Sequence, residues 1–192
     1  MDFSKVKHFI YDVDDTMVDC NGELVRIIER DYKFVCPPAT YLNHANSNGH
    51  HAAVLASAEF MRTAPMLAHA KELLVGLVDI KARGFNNHIC THRGYHVDAR
   101  KHTEDMLADY DATHLFDDIH VLDFNTTPDK VAYLDSVYGA GTYLLFDDRP
   151  RYDIDQPLPE HIWLFDQPWN QHMQGNRTSH VLNTIRSILE AA

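Results

Sequence analysis

The stretch Asp12-Val13-Asp14-Asp15-Thr16, reached directly from Val6-Lys7-His8-Phe9-Ile10-Tyr11, decides how this chain reads. The apolar run has the character of a buried strand in a parallel sheet, which is covered on both faces. Ligand sites of such sheets lie just beyond the carboxyl ends of the strands. Residues two apart on a strand point the same way. Asp12 and Asp14 are therefore expected to face one pocket, where two carboxylates need a cation or a shared proton. Such a pair suits phosphoryl transfer: one carboxylate attacks, the other handles the proton, and a metal ion neutralises charge.

Three later segments extend the pattern. His88-Ile89-Cys90-Thr91 is a short apolar run ending in a hydroxyl. Lys130 follows Thr126-Thr127-Pro128-Asp129 at an expected helix start, and Tyr143-Leu144-Leu145-Phe146-Asp147-Asp148-Arg149 is a strand-like run ending in acids. Hydroxyl, ammonium and carboxylates arrive in that order, each beside a strand or helix end. The arrangement resembles the haloacid dehalogenase (HAD) superfamily of phosphatases, with its Asp-x-Asp-x-Thr, Ser/Thr, Lys and paired-acid motifs.

That resemblance implies roles by position. Asp12 is the expected nucleophile, which splits one hard displacement into two easier ones. Asp14 is the expected general acid and base, and also offers its backbone carbonyl to a metal. Asp147, with Asp148 beside it, completes an oxygen-rich site for Mg²⁺ together with Asp12 and Asp14. Thr91 donates to a phosphoryl oxygen, and Lys130 pairs with the same phosphate. His92 and Arg93 follow Thr91 within reach of the phosphate or the leaving group. Asp15 stands where many members of the superfamily carry Gly; Asp tolerates left-handed geometry, so the tight turn can survive.

The C-terminal third narrows the resemblance. Leu144 to Pro150, then Pro159-Glu160-His161-Ile162-Trp163-Leu164-Phe165 and Trp169-Asn170-Gln171-His172, resemble the 5′(3′)-deoxyribonucleotidase family, as does Ile89-Cys90-Thr91. This implies removal of phosphate from nucleoside monophosphates with Mg²⁺. A nucleotidase pocket needs aromatic faces for the base. Phe34, Tyr41 and Phe60 are the candidates, with Asn43, His44 and Asn46 as hydrogen-bonding groups. Three other readings stay open: a polynucleotide 3′-phosphatase, a phosphatase for a small metabolite such as a sugar phosphate, and a catalytically silent binding module.

Length and composition fit one compact catalytic core. The chain has 192 residues, 45% of them hydrophobic. No run of about 18 apolar residues is present, so no membrane helix is expected. Met1-Asp2-Phe3-Ser4-Lys5 lacks the apolar core of a signal peptide. The three cysteines are scattered, which favours a reduced, cytoplasmic compartment. A net charge of −11 disfavours long nucleic acids as partners. It permits a small phosphate ester, because a bound cation and Lys130 invert the local field. A homodimer is left open. The fourteen histidines show no closed zinc pattern. His92 and His96, four apart, read as surface or pocket-lining imidazoles rather than as a metal pair.

Strands are expected near 6–13, 87–91, 119–122, 142–146 and 161–165. Helices are expected near 22–34 (capped by Asn21), 50–62, 65–82, 95–110, 128–138 and 178–189. Alternation of this kind predicts a doubly wound, parallel α/β sheet. The stretch from Thr16 to Thr91 is too long for one crossover. Residues 1–17 and 64–192 are accordingly read as the core, and 18–63 as a small helical cap inserted after the first strand.

Overall fold

A computed structural model describes residues 2–150 and 156–191. Its strands are β1 (His8–Tyr11), β2 (Asn86–Thr91), β3 (Asp118–Val121), β4 (Tyr143–Asp147), β5 (Ile162–Phe165) and β6 (Asn176–Thr178). Its α-helices are α1 (Cys20–Tyr32), α2 (His50–Ser57), α3 (Phe60–Thr63), α4 (Ala68–Ala82), α5 (Ala99–Asp109), α6 (Lys130–Tyr138) and α7 (Val181–Ala191). The strands form one sheet in the order β3-β2-β1-β4-β5-β6, every neighbouring pair parallel. This is the doubly wound α/β architecture read from the alternation of elements. The chain runs outward from β1 to β3 on one side, then returns to lay β4 against β1's other edge. A reversal of that kind opens a crevice at the carboxyl ends of β1 and its neighbours.

Side chains alternate across the sheet, as the two-residue period requires. Phe9, Tyr11, Ile89, Leu144 and Phe146 enter one apolar layer, packed by α4, α5 and α7. Ile10, Cys90, Tyr143 and Leu145 enter the other, covered by Val131 and Leu134 of α6. Burial on both faces explains why these strands read as continuous apolar runs. Cys20, Cys36 and Cys90 are buried and unpaired. Among the described residues no helix is long and apolar enough to cross a membrane.

Residues between β1 and α4 leave and re-enter the core across a narrow neck. Leu67 N donates to Met17 O at 2.9 Å, and Asp19 N to Pro65 O at 2.9 Å. That pairing holds Pro65–Leu67 extended, so α4 begins at Ala68 and not at Pro65. Beyond the neck, Leu24, Ile27, Val54, Phe60 and Met61 join the same apolar cluster as the sheet. The insert therefore packs on the core and does not stand apart from it.

Several local expectations shift for identifiable reasons. Asp19, not Asn21, caps α1, accepting from Gly22 N at 3.0 Å. Asn21 instead ties α1 to the insert: its amide donates to Thr40 O at 2.9 Å and accepts from Leu42 N at 2.9 Å. The helix expected over 50–62 splits at Ala58, whose φ of 52° ends α2. Gly94 packs so tightly on the Leu122 backbone that a Cβ would lie 2.7 Å from its carbonyl carbon. The chain turns there, and α5 starts only at Ala99. Strand β6 was not expected; three residues carry too short a pattern to register against the neighbouring turns.

Candidate active site

Asp12, Thr91 and Asp147 stand at the carboxyl ends of three adjacent strands, β1, β2 and β4. Asp12 N donates to Phe146 O at 2.9 Å, which extends the β1–β4 ladder by one bond and fixes the Asp12 backbone. Lys130 arrives from the first turn of α6, whose cap Asp129 accepts from Ala132 N at 3.0 Å. The Lys130 ammonium lies 2.7 Å from Asp12 Oδ1 and 2.6 Å from Asp147 Oδ2. All four side chains are essentially out of contact with solvent. Thr91 Oγ1 is buried and has no hydrogen-bond partner among the described residues. An unsatisfied buried hydroxyl costs about 1–3 kcal/mol, so it points to a ligand oxygen.

The electrostatics are those of a site short of positive charge. Burial pushes the Asp12 carboxyl up to about 7, and neighbouring Asp147 adds to the rise that Lys130 opposes. Burial also raises Asp147 and Asp148, with Asp15 and Asp147 adding to the effect on Asp148. Lys130 shows the opposite balance: burial would lower it, but Asp12 and Asp147 hold it well above the usual lysine range. Asp12, Asp147 and Asp148 each turn a carboxylate oxygen to within 4.8 Å of the others. One buried ammonium cannot neutralise three buried carboxylates. A hard dication fits this all-oxygen donor set.

Asp14 lies one turn beyond β1, near enough that its charge adds to the rise of the Asp12 and Asp147 carboxyls. Strand geometry ends at Tyr11, so the two-residue alternation does not carry through the turn. The Asp14 carboxylate meets Arg93, whose Nε lies 2.9 and 3.0 Å from its two oxygens. Arg93 has no solvent exposure. It was expected as a substrate contact, and the structure commits its guanidinium to Asp14. His92 was expected at the phosphate; its Nε2 donates to Thr127 O at 2.8 Å, bracing the loop before Lys130. Burial pushes the His92 imidazole down to about 4, so it is neutral at pH 7.

Asp15 adopts φ 58°, the left-handed geometry that Gly would supply without strain. Its carboxylate accepts from Asn21 N at 2.7 Å and so anchors the start of α1. Residues to which no role was given in the sequence complete the frame. Thr16 Oγ1 accepts from Asp148 N at 3.1 Å. Trp169 Nε1 donates to Asp148 Oδ2 at 2.8 Å. Asn170 donates to Asp148 O and Phe165 O, at 2.9 and 2.8 Å. Trp169 and Asn170 sit in the quoted Trp-Asn-Gln-His segment, but nothing in the linear pattern says that they reach Asp148.

A pocket of about 220 Å³ opens beside these residues, lined by Tyr41, Asn43, Arg149, Trp169, His172 and others. Tyr41 comes from the insert, its ring 5.8 Å from that of Trp169 and 5.0 Å from the Arg149 guanidinium. Of the three aromatic candidates, Tyr41 alone lines this pocket. Phe60 is 1% exposed and packs in the core. Phe34 packs on the same cluster and edge-on against His50.

Solved structures that superpose on this chain include proteins described as hydrolases. A haloacid dehalogenase-like hydrolase from Streptococcus pneumoniae superposes with a TM-score of 0.61 at 13% identity, covering 97% of this chain and 99% of that one. The fold is that of HAD-like hydrolases. A protein described as a predicted phosphatase from Clostridium acetobutylicum gives 0.59 at 14% identity, covering 96% and 99%. A HAD-type hydrolase from Bacillus subtilis, determined bound to magnesium, gives 0.53 at 16%, covering 96% and 98%. No protein-family model matches the chain, and no curated protein matches it. In this HAD-like frame the carboxylate trio, Lys130 and Thr91 occupy the sheet's switch point, where the architecture places ligands.

Proposed function

We propose that the protein is a Mg²⁺-dependent phosphomonoester hydrolase acting through an aspartyl-phosphate on Asp12. The observation that carries this reading is Lys130 held between Asp12 and Asp147, 2.7 and 2.6 Å away, beside the unpartnered Thr91 hydroxyl. An Asp12 oxygen attacks phosphorus, and the bond from phosphorus to the ester oxygen breaks. Asp14 gives its proton to the leaving alkoxide. In the second step Asp14 takes a proton from water as that water attacks the phosphorylated Asp12, releasing phosphate and restoring the carboxylate. Arg93 positions Asp14 for both transfers. Lys130 and Thr91 hold the phosphoryl oxygens, and Lys130 favours the ionised Asp12 that attack requires. Asp12, Asp147 and Asp148 would hold the Mg²⁺, which when bound neutralises charge on the transferring group.

For the substrate we propose a nucleoside monophosphate, with residues 18–63 acting as a helical cap. Support comes from the pocket: Tyr41 and Trp169 offer aromatic faces, and Asn43, Arg149 and His172 offer polar edges. The test is phosphate release with Mg²⁺ from 5′- and 3′-deoxynucleoside monophosphates, ribonucleotides, sugar phosphates and a 3′-phosphorylated oligonucleotide. The expected result is the highest kcat/KM on a deoxynucleoside monophosphate. A preference for sugar phosphates or the oligonucleotide would keep the chemistry and replace the substrate. Silence on every ester, with Mg²⁺ present, would overturn the hydrolase reading.

A further inference from the structure

A second cluster of metal-ligating side chains stands outside the carboxylate trio. His96, Asp98 and His102 each turn one donor atom to within 4.8 Å of the other two. Asp98 is the residue before α5 and His102 lies four residues on, so both belong to one face of the helix's first turn. His96 reaches them from the turn that Gly94 makes possible. The two imidazole rings lie 5.7 Å apart, centroid to centroid.

Two details mark this as more than a crowded helix start. Asp98 occupies the capping position of α5, where a carboxylate usually accepts from the helix's own N–H groups. Its side chain makes no such bond. His102 is 8% exposed, and its Nδ1 has no hydrogen-bond partner among the described residues. A buried ring nitrogen left unpartnered costs free energy that a ligand would recover.

We propose that His96, Asp98 and His102 bind a transition-metal dication of the Zn²⁺ class. Two imidazole nitrogens and one carboxylate oxygen are a donor set suited to zinc rather than to Mg²⁺, which prefers oxygen alone. Three protein ligands leave a fourth, tetrahedral position for water or another donor. Bond lengths of about 2.0–2.1 Å bring tetrahedral ligand atoms to roughly 3.4 Å apart, so side-chain rotations of about 1 Å close the site. His96 gives up the bond its Nδ1 accepts from Asp98 N, at 3.2 Å, because Nδ1 either takes the ion or carries the ring proton when Nε2 does. Arg62 lines the neighbouring groove and opposes a cation; Asp105 and Asp109 of the same groove favour one. His96 N donates to Arg93 O at 3.2 Å, so a bound ion would brace the segment that carries Arg93.

The experiment is calorimetric titration of the full chain with ZnCl₂ in excess Mg²⁺, followed by Co²⁺ absorption to report tetrahedral nitrogen and oxygen ligation. One zinc is expected per chain. His96→Ala and Asp98→Asn, both outside the buried core, should each weaken it by ~10-fold or more, with circular dichroism unchanged. Asp147→Asn should leave it unaltered. Zinc binding that survives both His96→Ala and Asp98→Asn, zinc binding abolished by Asp147→Asn, or no zinc uptake over Mg²⁺ would each overturn the proposal.

Discussion

Arg93 grips Asp14 from a position with no solvent exposure, its Nε lying 2.9 and 3.0 Å from the two Asp14 oxygens. Burial alone would lower the Arg93 pKa, and the Asp14 carboxylate more than restores it, leaving the guanidinium above its ordinary value. Lys cannot reproduce a planar fork that meets two oxygens at once. Arg93→Lys should therefore lower kcat by roughly 10–100-fold, a part of the about 10²–10⁴-fold that general acid–base catalysis contributes, with KM little changed. Steady-state kinetics across pH will check this; an unaltered kcat would remove Arg93 from the positioning of Asp14.

Asp12→Asn should remove phosphate release by roughly 10³-fold or more, as loss of a nucleophile does. Its thermal midpoint should hold or rise. Asp12 is buried beside Asp147, and burial raises its carboxyl to about 7, so the site pays in stability for the charge it needs. A lowered midpoint would show that the Asp12–Lys130 pair is structural. Chelation by EDTA should silence the wild type, and Mg²⁺ should restore it. Asp147→Asn should raise the Mg²⁺ concentration needed for half-activity, read from a metal titration of rate.

Asp15→Gly separates two effects. Glycine suits the φ of 58°, but it loses the bond that Asp15 accepts from Asn21 N at 2.7 Å. Lost capping bonds cost about 0.5–2 kcal/mol. Removing a buried carboxylate whose pKa is raised by burial and by Asp14, Asp19 and Asp12 offsets part of that. A net loss of about 1 kcal/mol is expected in urea unfolding. A gain would mean that the charge crowding outweighs the anchor.

A histidine layer should make the fold acid-labile. His8 Nδ1 and His88 Nε2 lie 3.0 Å apart across β1 and β2, and His120 bonds the Tyr133 and Tyr138 hydroxyls at 3.0 and 2.6 Å. Burial first, then neighbouring His8, pushes His88 down to about 4. Its ordinary value is 6.5. A depressed folded pKa means the unfolded chain binds the proton more readily. Stability is thus full above pH 6.5 and falls as pH drops toward 4. The loss from His88 is on the order of 3 kcal/mol. Urea midpoints between pH 7 and 4.5 should fall, and His88→Gln should flatten the slope.

The sites of Asp12, Thr91, Lys130 and Asp147 were legible because each is tied to an element boundary, and boundaries carry local signals. An apolar run ends, a proline opens a helix, and the next polar residue stands at a strand end. Past Tyr11 the two-residue period of the strand no longer says what Asp14 meets, and its partner Arg93 lies 79 residues on. Phe60 could not be told from a pocket residue, since an aromatic on a short helix has the same local pattern whether it faces the core or a ligand. Trp169 and Asn170 reach Asp148 across 21 and 22 residues, a closure that no local pattern encodes.

By itself the sequence determined the parallel α/β class, the order of its elements apart from the short β6 and the break between α2 and α3, and where the four motifs fall along the chain, because hydrophobic period and chain punctuation are properties of neighbouring residues. Tertiary structure alone decided what those motifs face. The order of strands around β1 brought Asp12, Thr91 and Asp147 together, Arg93 claimed Asp14, and the insert delivered Tyr41 to Trp169. Such relations depend on which surfaces bury against one another, and burial is a property of the whole chain.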